Sequence, residues 1–365
     1  MKKLIFEASA FRDWTLAYCQ LVHHMWITEF KKQYGWGLSD ICFEWNSKYT
    51  TMYRAPSEHL GELAVLINRK LDHNPYYLDR MCQKVARDVV LLEKYFSSLH
   101  RLRFEDMPQK EARKKFQEFK DQITKTPPSV LITIYYPQAI HAAKGMGRYK
   151  KFAKQAIALR DKVDHIVGPK SNQWLDHIIK SLLKRHGLKP EFSRFVSIQD
   201  IAFLLQDCLL HKRKSAMVST WSKRKKYWIT GMGKVHEITI ESYLKKKGWT
   251  LKKQLKSNSL KGTPYGPKGE IRGQVVIVES KAELYKMKKG KILVAPMTTP
   301  EYAPIITKAK LIITDEGGIT CHAAIISREL GIPSIVGTRT ASKVLKDDDH
   351  IICKLTKGTI RKMRK

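Results

Sequence analysis

The amino-acid sequence predicts a multidomain chain: a mainly α-helical N-terminal domain over residues 1–251, a flexible linker at 252–269 and a compact α/β domain over residues 270–365. Three observations predict it. Large apolar residues recur at spacings of three and four through most of the N-terminal part, the period of a helix with one buried face. The stretch KKQLKSNSLKGTPYGPKG (Lys252–Gly269) then turns to Lys, Ser, Gly and Pro with few large apolar groups, the composition of a tether. Beyond it, short apolar runs such as GQVVIV (Gly273–Val278) and Leu311–Ile313 alternate with helical spacings.

The elements follow in order. Phe11, Trp14, Tyr18, Leu21 and Met25 put large groups on one face and predict a helix to about Phe30. His23 and His24 lie beside that stripe; neighbours on a helix point about 100° apart, so the pair does not suit one metal. Tyr34–Ser57, rich in Gly, Ser, Asn and aromatics, reads as a loop whose Trp36 and Trp45 pack on neighbouring helices. Tyr76–Leu102 and Pro108–Thr124 carry long helical patterns, the second with Ala112, Phe116, Phe119 and Ile123 inward. Val130–Tyr136 has strand-like composition in a helical neighbourhood. Further helices run from Tyr149 to a stop at Gly168-Pro169 and through Trp174, Ile178 and Leu182 to Gly187. Ser197 is placed to cap the apolar helix of FVSIQDIAFLL. In the last third, strands are expected at 273–278, 291–294, 334–336 and 350–353, a helix near Lys281–Met287, and Thr299 as the cap of a helix that begins at Pro300.

Composition narrows the function classes. Hydrophobic residues at 43% and aromatics at 10% fit a folded chain, and Lys+Arg of 68 against Asp+Glu of 34 gives a formal charge of +34. The lysines are spread through both halves, which favours a generally basic surface over a dedicated nucleic-acid groove, although Trp221 and Trp228 do interleave with basic runs. Six cysteines, widely spaced and without a C-x-x-C pair, give no disulfide framework and no zinc site. The apolar run in MKKLIFEASAF is too short for a signal peptide, and no stretch approaches the roughly eighteen apolar residues of a membrane span. The expected location is the cytoplasm, with no membrane partner.

The densest chemistry lies in TDEGGITCHAAIISRELGIPSIVG (Thr314–Gly337), where a buried strand leads through Gly317 and Gly318 to a helix opened near Thr320. A helix start leaves N–H groups unpaired and carries partial positive charge, so it receives anions. The glycines let the backbone approach closely and take up φ > 0. The same field disfavours imidazolium and keeps His322 neutral, with a ring nitrogen available as a nucleophile. A neutral imidazole that attacks a phosphoryl group becomes a phosphohistidine and splits one transfer into two. A lone histidine at a helix start more often packs than reacts, so the surrounding pattern decides.

That pattern, VAPMTTPEYAP together with TDEGGITCHAAIISRELGIPSIVG, resembles the swivelling phosphohistidine domain of the PEP-utilising enzymes, which include phosphoenolpyruvate synthase, pyruvate phosphate dikinase and rifampicin phosphotransferase. The resemblance implies a β/β/α fold for the C-terminal domain. It makes His322 the phosphoryl carrier, with Gly317, Gly318, Thr320 and Cys321 around the phosphate, and it implies a tether that lets the domain travel. FVSIQDIAFLL is similar to a segment that precedes this domain in such chains. The pattern departs near Asp348 and Leu355, where family members usually show a glycine and an Asp-Gly pair. No ATP-grasp module and no pyruvate-binding barrel is recognised, so a separate ATP-grasp protein is the expected partner, with Mg²⁺ and ATP or PEP at its site and no permanently bound cofactor here. The expected acceptor is a small molecule such as pyruvate. Arg160, Asp161, Asp164 and His165, at spacings that let pairs meet on one helix, make a tentative acceptor site in which Arg160, Asp161 and His165 are the named contacts. The alternative is a non-catalytic protein that uses a retained domain and its basic surface to dock a partner or nucleic acid.

Overall fold

The computed structural model describes the chain except for residues 1–4, 13, 37, 39–40, 47–49, 55–57, 101, 127–131, 134–135, 138, 140–145, 207–209, 225, 231–233, 237–239, 252–259, 318–320 and 364–365. For some further helix and strand residues, Asp161, Asp164 and His165 among them, the backbone alone is described. The chain divides into two compact units, one of Met1–Glu7, Trp14–Ser47 and Tyr53–Thr250, the other of Ala8–Asp13, Lys48–Met52 and Leu251–Lys365.

The first unit is mainly helical. Its principal helices are α1 (Leu16–His24), α2 (Phe30–Tyr34), α3 (Glu58–His73), α4 (Tyr77–Leu99), α5 (Gln109–Lys125), α6 (Met146–His165), α7 (Ser171–Arg185), α8 (Ile198–Leu204), α9 (Leu210–Lys223) and α10 (Ile240–Lys246). The predicted inward residues of α5, Ala112, Phe116, Phe119 and Ile123, are all buried. Ser197 caps α8 as expected, and Asp200 returns the bond to complete a capping box. Gly187 closes α7 at φ 65°, with Leu188 N donating to the Leu183 carbonyl and Gly187 N to that of Lys184.

Several expectations fail here. Along the chain, strands β1 (Ile5–Arg12), β2 (Ile41–Asn46), β3 (Thr50–Arg54), β4 (Lys226–Thr230), β5 (Lys234–His236) and β6 (Thr250–Leu251) interrupt the helical order, and Ala8–Arg12, Thr50–Met52 and Leu251 among them are counted in the second unit. Phe11 therefore lies in β1, and the first helix starts only after Thr15, whose Oγ1 accepts from Tyr18 N at 3.2 Å. The segment read as a loop from Tyr34 contains β2, where Ile41, Cys42, Phe43, Glu44 and Trp45 are all buried. A run buried on both faces shows no alternation, so its aromatic and β-branched content was the only signal. Trp228 belongs to β4, which pairs antiparallel with β2, opposite Glu44. Gly168-Pro169 does not stop a helix: Pro169 sits inside a π-helical turn, Ile166–Lys170, that joins α6 to α7. The wider turn accommodates a residue with no N–H to donate. The strand-like stretch at Val130 falls largely outside the described residues.

The second unit is built on an eight-stranded sheet in the order β7-β14-β13-β9-β10-β11-β12-β8. Its strands are β7 (Leu260–Lys261), β8 (Thr263–Tyr265), β9 (Glu270–Ile277), β10 (Ile292–Ala295), β11 (Leu311–Thr314), β12 (Ser334–Val336), β13 (His350–Lys354) and β14 (Thr359–Lys362). Strands β9 to β12 run parallel, and β8, β13, β14 and β7 join antiparallel. Alternate residues of the parallel strands feed two cores. Val275, Ile292, Val294, Leu311, Ile313 and Ile335 pack with Leu260, Ile351, Cys353 and Ile360 from the antiparallel strands. Leu293, Ala295, Ile312 and Val336 face the short helices, α11 (Ala303–Ile306) among them, through Tyr302, Ile305, Ile306 and Ala323. The layers are thus β, β and α. Of the expected linker, residues 252–259 lie outside the described residues, while Leu260–Lys261 and Thr263–Tyr265 are strands, β7 pairing with β14 and β8 with β12. Polar edge strands of two or three residues carry a tether's composition because only one side of each is paired.

Thr299 does not cap a helix: its buried hydroxyl makes no hydrogen bond. Asp348, where the resemblance leads one to expect glycine, adopts φ 68°, a conformation that Asp tolerates. Among the described residues no helix is long and apolar enough to cross a membrane.

His23 is fully buried, edge-on to Phe43, and burial lowers its pKa to about 4. A pKa depressed in the folded state adds stability that is present above pH 6.5 and lost as pH falls through 4, about 3 kcal/mol in all. Denaturant titrations from pH 7 to pH 4 are expected to show that loss in the parent chain and a flatter profile in His23→Gln.

Candidate functional site

The carboxyl ends of three neighbouring parallel strands build the site. Beyond β10 the chain runs through Pro296 and Met297 to Thr298; beyond β11 it passes Asp315, Glu316 and Gly317 and enters helix α12 (His322–Leu330). Beyond β12 it turns at Gly337. Glu316 N donates to the Pro296 carbonyl at 2.8 Å, and Gly337 N to that of Glu316 at 3.2 Å, so one backbone hydrogen-bond chain links the three ends.

His322 is the first residue of α12, after Cys321, whose backbone is extended and whose side chain makes no capping bond. The imidazole is half-buried, and its Nδ1 lies 3.0 Å from Thr298 Oγ1. In the tautomer where Nδ1–H donates to Thr298, the lone pair sits on Nε2, the chemistry a nucleophile needs. The helix start supplies positive potential beside it. Helix α12 ends at Gly331 with φ 65°. Its buried residues are Ala323, Ala324 and Ser327, whereas Leu330 is 45% exposed.

Gly317 provides the close backbone approach expected of it, but not the positive φ. A Cβ there would stand 2.1 Å from Gly337 N, so its absence permits the close approach of two backbones; the positive φ of 76° belongs to Gly337. A buried carboxylate holds this junction. Asp315 accepts from Thr338 Oγ1 at 2.9 Å and from the backbone N and Oγ of Ser342, while Thr338 Oγ1 and N both reach the Thr314 carbonyl. Burial pushes the Asp315 carboxyl above the usual carboxylate range, against the opposing pull of Ser342 and Thr338. Sequence reasoning missed Thr338 and took Asp315 and Thr298 only as parts of motifs; residues 23 and 24 apart in sequence give no local signal.

The other predicted site residues are placed as follows. Cys321 packs against the helix-side core, near Tyr265. Gly318 and Thr320 lie outside the described residues. Arg328 donates its Nε to the Ala324 carbonyl at 3.2 Å. Arg160, Asp161 and His165 share α6 in the first unit; Arg160 is half-buried, and the side chains of the other two fall outside the described residues. Among the described residues no cluster of His, Cys, Asp and Glu could hold a metal ion.

Replacing Gly317 with Ala is expected to cost about 2–3 kcal/mol by overpacking, whereas Gly331→Ala, which meets open space, costs about 1 kcal/mol of backbone strain. Thermal unfolding of the two variants checks the order.

Comparison with known proteins agrees with this geometry over one segment. Residues 287–358 match the family model described as PEP-utilising enzyme, mobile domain. A protein of Archaeoglobus fulgidus described as a probable phosphoenolpyruvate synthase is 48% identical over 101 residues, 28% of this chain and 13% of that protein. The phosphoenolpyruvate synthase of Pyrococcus furiosus is 47% identical over 103 residues, 28% of this chain and 12% of its own length. Among solved structures, Enzyme I (nEIt) in solution aligns over 79% of both chains at 12% identity, with a TM-score of 0.22 that carries no argument. The chain thus spans about an eighth of the length of these curated relatives, and its C-terminal segment, not its helical unit, is what resembles the mobile domain of PEP-utilising enzymes.

Proposed function

We propose that the chain is a phosphotransferase component in which His322 carries a phosphoryl group between a donor site and an acceptor. The observation that carries this is the His322 Nδ1 contact with Thr298 at the first residue of α12, inside the segment matched to the mobile domain. With Nδ1 protonated, the Nε2 lone pair attacks phosphorus. The bond from phosphorus to the donor's bridging oxygen breaks, and its electrons leave with that oxygen. The product is an N-phosphoimidazolium whose Nδ1–H still donates to Thr298. Attack by the acceptor's oxygen then breaks the P–Nε2 bond and returns the pair to the ring. Thr298 holds the ring through both steps, and the helix start balances the phosphoryl charge.

The donor is ATP or PEP, with Mg²⁺, at a site on a separate ATP-grasp protein. The acceptor is a small molecule such as pyruvate, held by the helical unit with Arg160, Asp161 and His165 as its contacts. Radiolabelled ATP and PEP, each tested with and without an ATP-grasp protein, are expected to leave an acid-labile, base-stable label that His322→Ala abolishes. Label elsewhere on the chain, or none alongside salt-sensitive nucleic-acid binding, would favour the docking-protein alternative.

A further inference from the structure

Helices α4 and α6 pack against each other within the first unit. Leu78, Cys82 and Val85 of α4 and Phe152 and Ala156 of α6 are buried and give each helix an apolar side. Positions three and four apart share one side of a helix, so Tyr76, Asp79, Arg80 and Gln83 line up along the start of α4, and Lys151 and Gln155 along α6. Together these six residues border a cleft of about 440 Å³, with the buried Cys82 as part of its wall. That volume lies in the range of small-molecule sites.

The charges around the cleft do not neutralise one another. Among the described residues Asp79, Arg80 and Lys151 make no ion pair, whereas one turn farther along α4 Lys84 and Asp88 meet at 3.0 Å. Arg80, Gln83, Lys151, Gln155 and Tyr76 are exposed and Asp79 is half-buried, so the polar groups are open to a ligand. A guanidinium and an ammonium suit an anionic head, since the guanidinium matches two oxygens of a carboxylate or phosphate at once. A carboxylate accepts and amides both donate and accept, which is the set that hydroxyl groups satisfy. An exposed aromatic ring adds an apolar face for C–H groups. The Cys82 thiol, pushed up to about 11 by burial and by Asp79, is not a thiolate at neutral pH, so the cleft has the means to bind and not to form a covalent bond.

We propose that the cleft between α4 and α6 binds a monosaccharide carrying one anionic group, with Arg80 and Lys151 on the phosphate or carboxylate and Asp79, Gln83 and Gln155 on the hydroxyls. The site is separate from the Arg160 contacts, because Lys151 and Arg160 are about two and a half turns apart and point to opposite sides of α6. It does not rest on the phosphoryl-carrier reading, and its test does not involve His322. Isothermal titration calorimetry of the full chain with glucose 6-phosphate, glucuronate, glucose and inorganic phosphate is the measurement. At least one of the two anionic sugars is expected to bind with a Kd of about 0.1–1 mM, and glucose and inorganic phosphate about tenfold more weakly or worse. The two sugar arms tell a phosphate head from a carboxylate head. Arg80→Ala and Lys151→Ala, both at exposed positions, each weaken binding about tenfold. Arg87→Ala, which removes an exposed cation two turns beyond Arg80, leaves it unchanged. No binding of either anionic sugar up to about 10 mM, inorganic phosphate bound as tightly as the sugars, parent affinity in Arg80→Ala and Lys151→Ala, or an equal loss in Arg87→Ala overturns the proposal.

Discussion

The close approach of Gly317 to Gly337 is the constraint on which the C-terminal unit depends. Two strand ends can meet at that distance only where no Cβ intervenes, and the reward is a hydrogen-bond chain across the carboxyl ends of β10, β11 and β12. The buried Asp315 carboxylate locks the junction from beneath, against the cost of its own desolvation, with donors from Thr338 and Ser342. The residues that follow β11, Asp315 to Gly317, are fixed in this way, and at the first residue of α12 His322 stands within hydrogen-bonding distance of Thr298.

The sheet order makes this economical. Strands β9 to β12 add in sequence, each parallel to the last, and the short helices between them lie against one core while the antiparallel strands close the other. All three loops that matter therefore emerge on one edge. The start of α12 brings positive potential to the edge where His322 stands, while Arg328 donates its Nε to the carbonyl of Ala324.

Much of this was legible in the residues. The apolar run Leu311–Ile313 and the motif around His322 announced a strand and a helix, and the strand at 334–336 falls where its composition placed it. What was not legible has physical causes. Thr298 and Asp315 act through contacts across some 24 to 27 positions, which no window of local periodicity records. Pro169 broke the helix on paper because propensity ignores the π-helical turn that absorbs it. The buried strand β2 lacked alternation because both faces are covered, and the Lys- and Gly-rich β7 and β8 looked like a tether because short edge strands need little apolar content.

The central claim is that Thr298 fixes the tautomer of His322 so that Nε2 is the phosphoryl-bearing atom. Nitrogen-15 NMR of histidine-labelled full chain, before and after treatment with phosphoramidate, tests it most directly. The account predicts an Nδ1–H tautomer for His322 at neutral pH, phosphorus attached to Nε2 afterwards, and loss of the tautomer preference in Thr298→Val. Phosphorus on Nδ1, or a His322 ring that stays unmodified while other histidines react, would contradict it.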